Sequence, residues 1–110
     1  MMHEKRRYVL VESTMPIPES YRKEFEDLIY RELMRNIGEI SYFKAAPKII
    51  KYIGTNMFVL KCSLSKYNEI ITALAFIKSI GSNETAFYTI NGSGTIKALL
   101  KQSSSQRNQA

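Results

Sequence analysis

The sequence predicts an α+β domain: a βαββαβ chain that forms an antiparallel four-stranded sheet, with two helices on one face and an extra C-terminal helix. Three observations carry this. Short β-branched and aromatic runs alternate with two stretches of helical periodicity, in the order strand, helix, strand, strand, helix, strand. Glycine and proline stand at the breaks between these segments. A chain of 110 residues that is 45% hydrophobic suits one thin core and no second domain.

Arg7 to Ser13 is β-branched and aromatic, and it stops before Pro16 and Pro18, which cannot continue a ladder. Ser20 is placed to cap a helix in which Tyr21, Phe25, Leu28, Ile29, Leu33 and Ile37 recur at spacings of three and four, and Gly38 is placed to end it. The other face of that helix mixes Arg22, Lys23, Glu24, Glu26, Asp27, Arg31, Glu32 and Arg35, a solvated surface with local ion pairs. Glu39 to Lys44 reads as a further helical turn.

Past Pro47, the runs Lys48 to Ile53 and Met57 to Cys62 flank Gly54-Thr55-Asn56, a hairpin pattern. Ser65 begins a second helix with Tyr67, Ile70, Ile71, Leu74 and Ile77 on one face and Gly81 beyond its end. Thr85 to Ile90 is the fourth strand, Asn91-Gly92-Ser93-Gly94 a loop, and Thr95 to Lys101 a short terminal helix. Residues 1–101 thus form one domain, and the polar tail 102–110 is expected to be disordered. The element order is the split βαβ pattern of ferredoxin-like domains, to which RNA-recognition motifs belong.

Charge is unevenly distributed. Residues 1–39 carry seven basic and eight acidic side chains, whereas residues 40–110 carry nine basic and two acidic ones. A cationic half attracts polyanions, because each phosphate it neutralises releases condensed counterions. The lone Cys62 leaves no disulfide framework and no thiolate cluster, which suits a reducing compartment such as the cytoplasm. The apolar stretch after the basic N-terminal residues is too short for a membrane span.

An enzyme acting alone needs a nucleophile with its base, a metal cluster or paired carboxylates. His3 is the one histidine, Asp27 the one aspartate, and Cys62 falls at a strand end, so no intrinsic catalytic set and no protein-bound metal or cofactor is expected. Gly92-Ser93-Gly94-Thr95-Ile96-Lys97 lacks the Walker spacing and reads as a strand-to-helix turn capped by Ser93 or Thr95, with room for a phosphate contact.

On the hairpin, Lys48, Ile50 and Tyr52 alternate with Ile49, Lys51 and Ile53, while Met57, Val59 and Lys61 alternate with Phe58, Leu60 and Cys62. Both sheet faces therefore carry apolar residues. The face away from the two helices needs its own cover, from the terminal helix or a partner, and leaves Lys48, Lys51 and Lys61 for phosphate at the edges. The basic-Gly-aromatic-Gly core of RNA-recognition motifs is absent from Gly54-Thr55-Asn56-Met57-Phe58-Val59, which favours recognition of a folded RNA by shape and phosphate. Lys5, Arg6, Arg7 and Tyr8 fit a short basic arm with an aromatic that stacks.

Lys5-Arg6-Arg7-Tyr8-Val9-Leu10, Ala46-Pro47-Lys48-Ile49-Ile50-Lys51-Tyr52, Leu60-Lys61-Cys62 and above all Ser93-Gly94-Thr95-Ile96-Lys97-Ala98-Leu99 resemble the archaeal ribonuclease P protein component 2 family, which groups with the eukaryotic Pop and Rpp subunits. The resemblance implies a ferredoxin-like fold that binds the catalytic core of the ribonuclease P RNA. It also implies pairing with ribonuclease P protein component 3, precursor tRNA as the substrate of the assembled enzyme, and a homodimer within a heterotetramer as one form of assembly. Catalysis would belong to the RNA and its Mg2+ ions. The RNA-binding candidates are Lys5, Arg6, Arg7, Tyr8, Lys48, Lys51, Lys61, Ser93, Thr95 and Lys97. Two other classes compete: a ferredoxin-like regulatory module that binds a small metabolite at a dimer interface, and a protein-only nuclease, which would need Mg2+ carboxylates in a cleft.

Overall fold

The computed structural model describes residues 5–100, so the expectations placed on His3, Lys101, Arg107 and the tail 102–110 lie outside the described residues. In chain order the elements are β1 (Arg6–Ser13), α1 (Arg22–Ile37), α2 (Glu39–Ala45), β2 (Lys48–Ile53), β3 (Met57–Ser63), α3 (Tyr67–Phe76), β4 (Ser79–Ile80), β5 (Asn83–Glu84) and β6 (Phe87–Ser93), and residues 96–100 open a terminal helix. Four strands form one sheet in the order β2-β3-β1-β6, each pair antiparallel, and β4 and β5 form a separate two-residue ladder. That order is the ferredoxin-like topology expected from the sequence.

One sheet face packs against the helices. Val9, Val11, Phe58, Leu60, Cys62 and Phe87 from the strands meet Phe25, Ile29, Leu33, Ile70 and Leu74 from α1 and α3. Phe58 lies edge-on to Phe25 at 5.6 Å and to Phe87 at 6.0 Å, the arrangement that ring quadrupoles prefer. The helices also cover an edge: the backbone N–H of Ile49 on β2 donates to the hydroxyl of Tyr30 on α1 at 2.9 Å. The Tyr52 hydroxyl donates to Glu26 on the same helix at 2.8 Å, and the Arg22 guanidinium sits 4.5 Å from the Tyr52 ring centre.

The opposite face carries a second core of Leu10, Met57, Val59 and Leu99, with Tyr8, Ile50, Ile53, Ile90 and Leu100 packed around it. The terminal helix is thus the cover that the apolar residues on both faces require. Thr95 starts that helix, its Oγ1 accepting from the Ala98 N–H at 3.2 Å in the usual cap geometry.

Several local expectations are corrected. Ser20 does not cap α1: it lies inside a 3-10 turn, Glu19–Tyr21, and the helix begins at Arg22 without a side-chain cap. The strict alternation along β2 fails because the ladder skips a residue between Ile49 and Lys51. The bulge sends Ile50 to the outer core and Tyr52 to the inner one, the reverse of sharing a face. Helix α3 stops at Phe76, and Gly81 instead turns the β4–β5 hairpin with φ +63°.

The fourth sheet strand starts at Phe87 rather than Thr85 and runs on through Asn91-Gly92-Ser93, which the sequence suggested was loop. A glycine suits that strand because the Tyr67 ring lies over it; a Cβ on Gly92 would fall on the Tyr67 hydroxyl.

Candidate nucleic-acid interface

Antiparallel pairing places directly opposed residues on the same face of a sheet. Lys48 on β2 opposes Lys61 on β3, Lys61 opposes Tyr8 on β1, and Tyr8 opposes Ser93 on β6. Four of the candidates, one from each strand, therefore form a single row across the outer face at one end of the sheet. The next outer row is apolar at its centre, Val59 opposite Leu10, and it adds the exposed Lys51 at the β2 edge. Leu99 and Leu100 of the terminal helix pack on this central part. The third row, at the far end, is Ile53, Met57, Glu12 and Tyr88.

The cationic end has a physical signature. Like charges directly opposed across a ladder repel, so the Lys48–Lys61 pair costs stability that a bound anion would relieve. Among the described residues the ion pairs are Arg35–Glu32 and Lys66–Glu69, so neither lysine is neutralised there.

Beside this row, at the end of β1 and β3, a recess of about 60 Å³ is lined by Arg6, Lys44, Ala45, Ala46, Cys62 and Ser63. It forms because α2 ends in a left-handed residue, Ala46 (φ 47°), and Pro47 then turns the chain into β2, bringing Lys44 against the start of β1. Lys44 was not a candidate from the sequence; its position in the last turn of a short helix gave no sign that packing would bring it to Arg6.

The other candidates separate. Lys5, Arg6, Arg7 and Tyr8 are not a free arm: β1 begins at Arg6, and the carbonyl of Lys5 accepts from the Leu64 N–H at 2.8 Å. Alternation sends Arg7 to the helical side, where its guanidinium lies 5.2 Å from the Tyr67 ring centre, while Arg6 and Tyr8 share the outer side. Ser93 Oγ accepts from the Thr95 N–H at 3.4 Å, so both hydroxyls serve the strand-to-helix turn, and Lys97 is exposed on the first turn after it.

Elsewhere the chemistry is sparse. Cys62 is buried in the inner core, and burial pushes its thiol up to about 11. Asp27 is exposed on α1. Among the described residues, no three His, Cys, Asp or Glu side chains gather as a metal site, and no helix is long and apolar enough to cross a membrane. A wide groove of about 410 Å³ between α1 and α3 is lined by Asn36, Ile37, Asn68, Glu69, Thr72, Ala73 and Phe76. Its one charged residue, Glu69, pairs with Lys66 at 3.3 Å. That groove offers no cation to a phosphate.

Comparison with known proteins agrees with the fold. Residues 7–103 match the model of the Rpp14/Pop5 family. The chain is 26% identical over 106 residues to ribonuclease P protein component 2 of Pyrococcus furiosus, an alignment covering 96% of this chain and 88% of that one. Its fold is similar to that of a chain in the cryo-EM structure of yeast ribonuclease MRP, with a TM-score of 0.61 at 6% identity, covering 99% of this chain and 95% of the other.

Proposed function

The chain belongs to the Rpp14/Pop5 family, and from that premise we propose that it is a protein subunit of ribonuclease P that supports the catalytic RNA in removing the 5′ leader of precursor tRNA. The observation that carries an RNA-facing role is the Lys48–Lys61–Tyr8–Ser93 row with Arg6 and Lys44 beside it. In this reading the protein places fixed cations where RNA phosphates crowd, lowering the free Mg2+ the RNA needs to hold its active fold. The reaction itself is carried by the RNA and its Mg2+. The protein's share is positioning: the paired sheet end holds the Lys48 and Lys61 backbones at a fixed spacing, so no backbone ordering is needed on contact. The assembled enzyme contains protein component 3, and the cytoplasm is its site of action. A homodimer within a heterotetramer is the proposed stoichiometry.

The test is cleavage of a precursor tRNA by the cognate ribonuclease P RNA and protein component 3 at limiting Mg2+, with and without this chain. The proposal expects strong stimulation that fades as Mg2+ is raised. Equal rates with and without the chain, with the other components shown to be active, would reject it.

A further inference from the structure

The lysine row accounts for phosphate contacts along a folded RNA, but it leaves two features without a role: an aromatic ring inside the row and a small cationic recess beside it. We propose that this end of the sheet holds one unpaired nucleotide of the RNA, its base stacked on Tyr8 and its phosphate seated in the recess lined by Arg6, Lys44 and Ser63. This deepens the ribonucleoprotein reading and rests on it.

Tyr8 is the aromatic residue of the cationic row, and it is half-buried against the outer core that contains Leu10, Val59 and Leu99. A ring wedged in this way is already ordered, so stacking a base on it costs little further entropy. The rest of the face is closed: Leu99 and Leu100 occupy the centre of the sheet, where a second base would follow. One nucleotide fits here and a run of two or three does not.

The recess matches the other half of that nucleotide. Its volume, about 60 Å³, is several times the roughly 10–15 Å³ that one water needs on the same measure, room for a small anionic group such as a phosphate. Two cations line it, and Ser63, 6% exposed and directly opposite Arg6, adds a hydroxyl that is 3.4 Å from the Ser65 hydroxyl. Arg6 and Tyr8 are two residues apart on one strand and on one face, about 7 Å along it, within the reach of a single nucleotide. A paired base lies inside its helix and cannot reach Tyr8; a bulged one can.

The experiment compares the full chain's affinity for an RNA hairpin carrying one bulged nucleotide and for the same hairpin fully paired, by fluorescence anisotropy at fixed salt. The bulged RNA should bind about tenfold more tightly. Tyr8→Leu should abolish that preference, Tyr8→Phe should keep it, and Tyr88→Leu at the far end of the face should keep it. Arg6→Gln with Lys44→Gln should weaken binding of the bulged RNA more than of the paired one. Equal affinity of the unaltered protein for both hairpins, or a preference that survives Tyr8→Leu, would overturn the nucleotide site alone. Failure to bind either hairpin or the cognate RNA would overturn the ribonucleoprotein reading with it.

Discussion

Each end of the outer sheet face carries one tyrosine, in opposite company. Tyr8 has Lys61 beside it and Lys48 beyond, whereas Tyr88 has Glu12 beside it, with Met57 and Ile53 beyond. Tyr88 is the more exposed ring, at 58%. Exposure alone would nominate the Tyr88 end. What separates them is the chemistry of the neighbours: a ring among cations suits a polyanion that carries bases, and a ring beside a carboxylate repels it. The terminal helix keeps the two ends apart by covering the apolar centre of the row between them.

Removing that divider has the largest expected effect. Leu99 is fully buried between the terminal helix and the sheet, so Leu99→Ala should lower unfolding free energy by roughly 2–5 kcal/mol, read by urea denaturation. A loss below about 1 kcal/mol would mean that the helix does not hold the face closed. Gly92→Ala comes next. The new methyl must displace the Tyr67 ring and with it the stacked Arg7, at a cost of about 1–3 kcal/mol, and Tyr67→Ala in the same chain should recover part of the loss.

Glu12→Lys converts the far row toward the composition of the near one, and it should steepen the salt dependence of RNA binding by less than one ion, leaving any stacking preference at Tyr8 intact. The last effect is on pH. Burial raises the Cys62 thiol from 9.0 to about 11 and the Tyr30 hydroxyl from 10.0 to about 12. Both are neutral in the fold while the unfolded chain ionises first, and burial together with the hydrogen bond to Glu26 raises the Tyr52 hydroxyl further still, so stability should be level below pH 9 and decline progressively above it. Melting temperatures across that range check the sign.

Much of the fold was legible because single segments specify it. The spacing of Phe25, Ile29 and Leu33 defines the buried stripe of α1, and the alternation from Met57 to Cys62 divides correctly between the two faces of β3. The bulge in β2 was hidden because it depends on a distant partner: Tyr52 turns inward to reach Glu26 on α1, and nothing local to β2 announces that bond. The β4–β5 hairpin, two residues per strand, is too short to show a period.

The site divides in the same way. Lys48, Lys61, Tyr8 and Ser93 were each recognisable as residue types, but their alignment is a property of register across four strands, including a bulge between β1 and β6. Arg7 was grouped with Arg6 by adjacency and separated from it by strand alternation. Lys44 joined only through the packing of α2 against the end of β3.

The most direct test of the account is the salt dependence of binding to the cognate ribonuclease P RNA for two variants that remove equal charge. One replaces Arg6, Lys44, Lys48 and Lys61 with Gln; the other replaces Lys23, Arg31, Arg35 and Lys78. If RNA lies on the cationic end of the sheet, the first should reduce the slope of log K against log salt by about three and the second by less than one. Equal reductions, or a larger one from the second variant, would contradict the assignment of that end as the RNA-facing surface.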